Sequence, residues 1–161
     1  MPTSYNLSTI SQLLVTRRQT LCVAESCTGG LVGAACTALA GSSTWFNGGA
    51  IVYQNFLKEQ LLGVSSEVLK IQGAVSEECV IQMGLGANQL FETNWSIAGS
   101  GIAGPGGSSK DNPVGLVYIG VCGPKYHRVS ENFFTGDRQE VRLQAVSKSF
   151  EMLVKALQTP S

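Results

Sequence analysis

The sequence predicts a single α/β domain in which a mixed β-sheet is covered by helices on both faces. Three observations lead to this prediction. Short apolar runs of strand length alternate with helical patterns in the first part of the chain, which is typical of parallel β–α–β units. Two later apolar runs, separated by the turn Gly123-Pro124-Lys125, predict an antiparallel hairpin. The chain has 161 residues, the length of one domain, and we assign residues 1–161 to it.

Each helix is predicted from apolar residues at helical spacing, and most begin at a polar residue that can cap the first turn. Asn55 is the expected cap of the third helix, helices are expected to start at Ser65 and Ser76, and Asp137 resembles the start of a capping box with Glu140. The expected helices are residues 4–18, 28–40, 56–62, a short piece from 65, one after Ser76 and one after Asp137. The expected strands are residues 20–25, 47–54, 95–99, 114–122 and 127–135.

The composition excludes several classes of protein. Formal net charge is zero and the pI is about 6.6, so no nucleic-acid or anionic-membrane partner is expected. Only 14% of the residues are charged, which favours a surface partly buried against another subunit, and we expect a homo-oligomer.

The cysteines and the N-terminus indicate the compartment. Five cysteines form no C-x-x-C pair, and only His127 could join them in a metal site, so no metal is predicted. Most lie in apolar runs, as core residues do in a reducing compartment. No secretory signal is visible, and the uncharged stretch 26–57 is interrupted by polar residues before it reaches membrane-spanning length. We therefore expect a cytoplasmic protein without a membrane span.

The most informative stretch is Ala-Glu-Ser-Cys-Thr-Gly-Gly at residues 24–30, between the first strand and the second helix. Ser26 lies where free backbone N–H groups favour negative charge, so its hydroxyl could act as a nucleophile whose oxyanion those groups bind. The alternative is structural. Ser26 or Thr28 only caps the helix, and Gly29 and Gly30 only permit close packing.

Lys58 is the candidate base. If Asn55 caps the next helix, Lys58 lies in its first turn, where the helix dipole and partial burial would lower the pKa of its amine. Tyr53, at the end of the preceding strand, could hydrogen-bond to either group. The alternatives are a solvated lysine beside Glu59 and an ordinary strand aromatic.

Three loops leave strand ends and should gather at one edge of the sheet, at residues 26–30, 55–58 and 100–109. In the third, Gly101 and Gly104 expose backbone that could contact a substrate, although the loop matches neither the P-loop nor the dinucleotide pattern. The alternative is a flexible crossover to the hairpin.

Other candidates come from single residues. Arg138 and Arg142, one turn apart, could grip a phosphate, or they could form a solvated helix face. Cys27 is an alternative nucleophile, but His127 falls near the hairpin turn and offers it no partner. Glu25 could orient a neighbouring donor or merely end the strand.

Several sequence blocks occur together and in order, and the chain resembles the CinA C-terminal domain family from about residue 8 to 157. The blocks are AESCTGG at 24–30, AGSS at 40–43, GAVS at 73–76, SGIAGP at 100–105 and TGDR at 135–138. The resemblance implies a three-layer α/β/α fold with a mixed five-stranded sheet, and a homo-oligomer. The stretch QNFL at 54–57 departs from the more polar family pattern, which bears on substrate preference.

The stand-alone members of this family include nicotinamide-nucleotide amidases, so the resemblance implies deamidation of nicotinamide mononucleotide in pyridine-nucleotide salvage. By motif position the catalytic serine, tyrosine and lysine fall on Ser26, Tyr53 and Lys58. The substrate would be bound by Cys27, Thr28, Gly29, Gly101, Gly104, Arg138 and Arg142. No metal or organic cofactor is implied. The amino-terminal domain of full-length members is not matched, so we expect its pyrophosphatase activity to be absent.

Two other functions stay open at this point. One is a catalytically silent module that binds a nucleotide or a partner, linked to competence or DNA damage. The other is a thiol enzyme that uses Cys27.

Overall fold

A five-stranded mixed sheet forms the centre of the molecule in a computed structural model that describes residues 5–160. The strands are β1 Leu21–Glu25, β2 Phe46–Ile51, β3 Trp95–Gly101, β4 Leu116–Gly123 and β5 Tyr126–Phe133. The helices are α1 Leu7–Arg17, α2 Leu31–Thr37, α3 Asn55–Leu62, α4 Ser66–Ile71, α5 Glu77–Phe91 and α6 Arg138–Gln158.

The strand order is β2-β1-β3-β4-β5. Strand β1 pairs in parallel with β2 and β3, whereas β4 is antiparallel to both β3 and β5. This arrangement confirms the mixed sheet and the antiparallel hairpin that the sequence predicts. It also brings the ends of β1, β2, β3 and β5 to one edge of the sheet, together with the start of α6.

Helices cover both faces of the sheet, so the fold is a three-layer α/β/α sandwich. Alternate residues of the fully buried strand β1 face opposite layers. Leu21 and Val23 pack with α1, α2 and α6, whereas Cys22 and Ala24 pack with α3, α4 and α5. Because β1 is an interior strand between β2 and β3, the residues that follow it lie between the two helical layers.

Several element boundaries differ from the sequence prediction because tertiary pairing sets them. The strand expected at 47–54 ends at Ile51, which pairs with Glu25, the last residue of β1. The third strand continues to Gly101 because β4 pairs with it as far as Val117. The first helix, expected from residue 4, begins at Leu7, and residue 4 lies outside the described part of the chain.

The helix starts predicted at Ser65, Ser76 and Asp137 are confirmed. The Ser65 and Ser76 side chains accept hydrogen bonds from the first turns of α4 and α5, and Asp137 forms the capping box with Glu140. The prediction for Asn55 is wrong. It is the first residue of α3, and Gln54 precedes the helix without a side-chain capping bond.

Helix α5 carries α3 on its outer side through close backbone contact. A Cβ atom added at Gly86 would lie 1.8 Å from the carbonyl oxygen of Leu62, so only glycine allows this approach. Because Lys58 lies on α3, this contact helps to fix its position. None of the helices in residues 5–160 has the length and apolar composition to span a membrane.

Candidate active site

Lys58 lies in the interior of the protein, with 1% of its surface exposed. Helix α3 starts just after the end of β2 and directs this side chain back toward the strand end. The amine Nζ is 2.7 Å from the carbonyl oxygen of Val52 and 3.2 Å from that of Tyr53. The third contact is the hydroxyl Oγ of Ser26, at 3.2 Å. The alternative of a solvated surface lysine is therefore wrong.

Within residues 5–160, no carboxylate forms a salt bridge with this amine. The one salt bridge among the described residues joins Lys148 to Glu151, at the molecular surface. Burial lowers the pKa of Lys58 from its ordinary value of 10.5, while the nearby thiols of Cys79 and Cys27 raise this pKa to a lesser extent. The direction agrees with the sequence prediction.

A neutral amine can make all three contacts, as an ammonium can. Two of its N–H bonds can donate to the carbonyl oxygens of Val52 and Tyr53, because those groups only accept. In the structure Nζ also donates to Oγ of Ser26. In the neutral amine the lone pair takes this third direction and accepts from the Ser26 O–H. This is the arrangement that a lysine needs in order to take a proton from a serine nucleophile.

Ser26 is the first residue after β1 and is 8% exposed. Its carbonyl accepts a hydrogen bond from the N–H of Gly29, which closes the turn. The N–H groups of Ser26, Cys27 and Thr28 have no partner in any other described residue. Unpaired N–H groups next to a nucleophile can bind a developing oxyanion.

Helix α2 is capped by Glu25 and not by Ser26 or Thr28. The helix begins at Leu31 rather than at residue 28, and no side chain at its N-cap position makes a capping bond. The Glu25 carboxylate, with 2% of the residue exposed, instead accepts from the N–H groups at the start of α2 and from the hydroxyl of Thr28. The N–H donors of α2 are those of Gly30, Val32 and Gly33, at 2.9–3.1 Å.

Sequence reasoning considered Glu25 as an orienting group but missed this cap. A signal was available, since α2 lacks a good polar cap of its own and an acidic residue shortly precedes its first turn. The carboxylate fills the anion-binding position at the start of α2. An oxyanion on Ser26 would have to use the N–H groups of the turn instead.

Arg138, at the start of α6, connects two loops at the rim of the site. Its guanidinium donates to the carbonyl oxygen of Gly104 at 2.7 Å and to the phenol oxygen of Tyr53 at 3.2 Å. Tyr53 is 56% exposed, and its contact with Lys58 is through its backbone carbonyl. The phenol is thus paired with Arg138 rather than placed between Ser26 and Lys58.

Arg142 lies one turn further along α6 and contacts the nucleophile turn. It donates to the carbonyl oxygens of Cys27 at 3.0 Å and Thr28 at 3.2 Å, and to the side chain of Gln139 at 2.9 Å. A Cβ at Gly29 would lie 3.3 Å from the guanidinium, at a backbone φ of +59° that favours glycine. The alternative of a solvated helix face does not describe Arg142.

Gly101 and Gly104 have steric reasons to be glycine. A Cβ at Gly101 would lie 2.8 Å from the Leu116 carbonyl oxygen on β4. A Cβ at Gly104, where φ is +85°, would lie 2.4 Å from the Val114 side chain. Their contact with a substrate stays a prediction.

Cys27 is poorly suited to act as a thiolate. It is buried, and burial raises the pKa of its thiol, although Arg142 and Arg138 oppose this effect on the pKa. His127 is exposed on β5 beside the hairpin turn, at the opposite edge of the sheet, and pairs with Cys122. Within residues 5–160, no group of three or more His, Cys, Asp or Glu side chains is arranged to hold a metal ion.

The fold and these contacts define a three-layer α/β/α protein with a serine–lysine pair at the edge of its sheet. The chain matches the CinA C-terminal domain over residues 5–157 and belongs to that family.

Two curated relatives illustrate the similarity. The chain is 43% identical over 148 residues to a CinA-like protein of Fervidobacterium nodosum, covering 92% of this chain and 36% of the relative. It is 52% identical over 132 residues to a CinA-like protein of Parasynechococcus marenigrum, covering 82% of this chain and 31% of the relative. This chain thus spans about a third of the length of these relatives.

Solved structures share the whole fold. The competence/damage inducible protein CihA from Agrobacterium tumefaciens is similar with a TM-score of 0.92 at 37% identity, covering 96% of this chain and 95% of that one. A CinA superfamily protein from Klebsiella pneumoniae is similar with a TM-score of 0.91 at 33% identity, covering 96% and 98%.

Proposed function

We propose that this protein is an amidohydrolase that converts nicotinamide mononucleotide to nicotinate mononucleotide and ammonia. The observation that carries this proposal is the 3.2 Å contact between Ser26 and the buried Lys58, which has no carboxylate partner in the part of the chain that the structure describes. The choice of nicotinamide mononucleotide as substrate rests on the resemblance to the family, and the reaction would serve pyridine-nucleotide salvage.

Acylation starts with the neutral amine of Lys58. Its Nζ takes the proton of the Ser26 hydroxyl as Oγ bonds to the carboxamide carbon, giving a tetrahedral intermediate. When the carbon–nitrogen bond breaks, the Lys58 ammonium gives that proton to the leaving nitrogen, which departs as ammonia. The product of this half-reaction is a nicotinoyl ester of Ser26 and a neutral Lys58.

Deacylation repeats the proton transfers with water. Lys58 takes a proton from water as the oxygen bonds to the ester carbon, and it returns a proton to Oγ when the ester bond breaks. The carboxylic acid product loses its proton to solvent. Lys58 is neutral again at the end of the cycle.

The unpaired N–H groups of Cys27 and Thr28 would hold the oxyanion in both tetrahedral intermediates. Loss of one such donor typically lowers turnover about 10²- to 10³-fold. Arg138 and the loop that contains Gly101 and Gly104 would bind the ribose phosphate at the rim, and the phenol of Tyr53 would hold Arg138 in place.

The test is ammonia release from nicotinamide mononucleotide by the purified protein. Ser26→Ala and Lys58→Met should each lower turnover by at least about 10³-fold, because each removes a group that moves in the bond-making step. Ser8→Ala and Lys70→Met change an exposed serine and an exposed lysine and serve as matched controls. Near wild-type turnover by Ser26→Ala would exclude the serine mechanism.

The same experiment tests a second candidate function, a module that binds a nucleotide or a partner without catalysing a reaction. The competence/damage names of the solved relatives favour this second candidate. Calorimetric binding of nicotinamide mononucleotide by wild-type protein, without ammonia release in the presence or absence of EDTA and of added divalent metals, would support it.

A further inference from the structure

Two opposite charges hold the nucleophile turn, residues 26–30, from its two sides. Glu25 accepts from N–H groups on the inner side, and Arg142 donates to carbonyl groups on the outer side. We propose that Glu25 and Arg142 act as a clamp that positions the oxyanion donors, and that Arg142 is a positioning residue rather than a phosphate ligand. This inference deepens the proposed amidase and rests on it.

The hydrogen bonds of the turn show what the clamp leaves free. The carbonyls of Cys27 and Thr28 are occupied by Arg142, and the N–H groups of Gly29 and Gly30 are occupied by Ser26 and Glu25. Within the described chain, the unpaired N–H groups of the turn are those of its first three residues. Because a peptide unit is planar, fixing the carbonyl of Cys27 also fixes the direction of the Thr28 N–H.

The charge of Glu25 matters as well as its shape. An ionised carboxylate only accepts and has about four lone-pair sites, and Glu25 meets four donors. A glutamine of the same shape would direct an NH₂ group at one of these donors. The turn would then have to move, although the fold around it is otherwise unchanged.

The guanidinium of Arg142 has little capacity left for a phosphate. Each of its three nitrogens already donates, to Cys27, Thr28 and Gln139. Two of these contacts need the planar fork of arginine, so a lysine cannot reproduce them. Arg138, by contrast, reaches the exposed phenol of Tyr53 at the rim.

The first test compares nicotinamide mononucleotide with nicotinamide riboside, which lacks the phosphate. A clamp residue affects both substrates alike, so Arg142→Met and Arg142→Lys should lower kcat about 10- to 100-fold for each, with KM changed less than about threefold. A loss confined to the mononucleotide and expressed in KM would overturn the positioning role. Arg128→Met, an exposed arginine on β5, is the matched control.

The second test separates the clamp from the amidase. A fluorophosphonate probe labels an activated serine without any amide substrate, so its rate at Ser26 reports on the turn even if no amide is hydrolysed. Glu25→Gln should lower kcat and the labelling rate about 10- to 100-fold each, whereas the control Glu59→Gln should change neither. Equal labelling of wild type and Glu25→Gln would overturn the clamp.

Two further measurements test the clamp if Glu25→Gln does not fold or if the probe does not label the protein. If Glu25→Gln does not fold, Thr28→Val removes one of the four bonds to the carboxylate and should lower the labelling rate in a folded protein. If the wild-type protein is not labelled, NMR of the backbone amides tests whether Arg142 positions the N–H groups of the turn. The N–H resonances of residues 26–28 should shift in Arg142→Met, and unchanged resonances would contradict the clamp.

Discussion

Lys58 Nζ lies 3.2 Å from Ser26 Oγ, although α2 and β2 separate the two residues along the chain. The two side chains meet because β1 and β2 are parallel neighbours, so that the turn after β1 and the helix after β2 share one edge of the sheet. The buried amine is held by backbone carbonyls and by Ser26, and no described residue places an opposite charge beside it.

Replacing Lys58 with methionine should separate activity from stability. Methionine has a similar length and no charge, so it removes the cost of burying an amine without a carboxylate partner. We expect turnover to fall at least about 10³-fold while Tm stays within a few degrees of wild type or rises. Steady-state kinetics and calorimetry on Lys58→Met and Lys70→Met provide the comparison. A large fall in Tm for Lys58→Met alone would show that the amine is chiefly structural.

The lowered pKa of Lys58 predicts how activity depends on pH. The neutral amine is the active form, so kcat/KM should rise with pH and reach a plateau. The midpoint of the rise should lie below the ordinary pKa of 10.5. A pH–rate profile without a rising limb below that value would contradict a lysine base.

Stability should follow the same pKa. The folded state loses the Lys58 proton at a lower pH than the unfolded state, so the unfolded state binds more protons between the two pKa values. The free energy of unfolding of wild type, relative to Lys58→Met, should therefore rise with pH from the lowered folded pKa up to the ordinary pKa of 10.5. Urea titrations of both proteins across this range measure the difference. The opposite slope would mean that the amine is stabilised as an ammonium.

Cys27 should be dispensable for the chemistry. Because burial raises the pKa of its thiol, we expect Cys27→Ser to retain turnover within about tenfold and wild type to resist iodoacetamide at neutral pH. Mass spectrometry of the alkylated protein locates any modified thiol. Rapid inactivation of wild type, absent in Cys27→Ser, would revive the thiol mechanism.

Tyr53→Phe tests what the phenol does. Its hydroxyl is bonded to Arg138, so its loss should raise KM for nicotinamide mononucleotide several-fold and leave kcat within about threefold. The effect should shrink for nicotinamide riboside, since Arg138 is the proposed phosphate ligand. A large loss of kcat with both substrates would instead assign the phenol to proton transfer.

Gly86→Ala should destabilise the protein and disturb the site. Alanine gains about 1 kcal/mol of helix propensity over glycine. Its Cβ would nevertheless lie 1.8 Å from the Leu62 carbonyl oxygen, and forcing α3 outward costs about 1–3 kcal/mol or more. We expect a lower free energy of unfolding and lower turnover, measured by urea denaturation and ammonia release. Gly106→Ala, with open space around its Cβ, should leave the free energy of unfolding unchanged.

Local patterns predicted the parts of the site that depend on neighbours in sequence. Ser65 and Ser76 cap helices because a hydroxyl before a first turn meets free N–H groups wherever the helix lies. The position of Ser26 at the end of a strand could also be predicted locally, because it follows an apolar run of strand length. The helix after it was predicted to begin too early, because the group that caps α2 is Glu25, a strand residue whose side chain returns to the helix.

Contacts between residues far apart in the chain could not be predicted from local sequence patterns. The role of Arg142 depends on α6 lying beside a turn 115 residues earlier in the chain. Likewise, the partner of the Tyr53 phenol is Arg138, 85 residues away. Neither distance has a periodic signal in the sequence, and each arises from the order of strands in the sheet.

The sequence by itself determined the succession of strands and helices along the chain, the hairpin, and the position of the serine at the end of a strand. Apolar periodicity and turn residues reveal these features because they act over a few neighbouring positions. Only the tertiary structure decided that Lys58 is buried against Ser26 and that Glu25 and Arg142 hold the turn between them. The physical reason is that burial and hydrogen-bond partners depend on which strands become neighbours. Parallel pairing of β1 with β2, and the position of α6 on the sheet, create those surroundings.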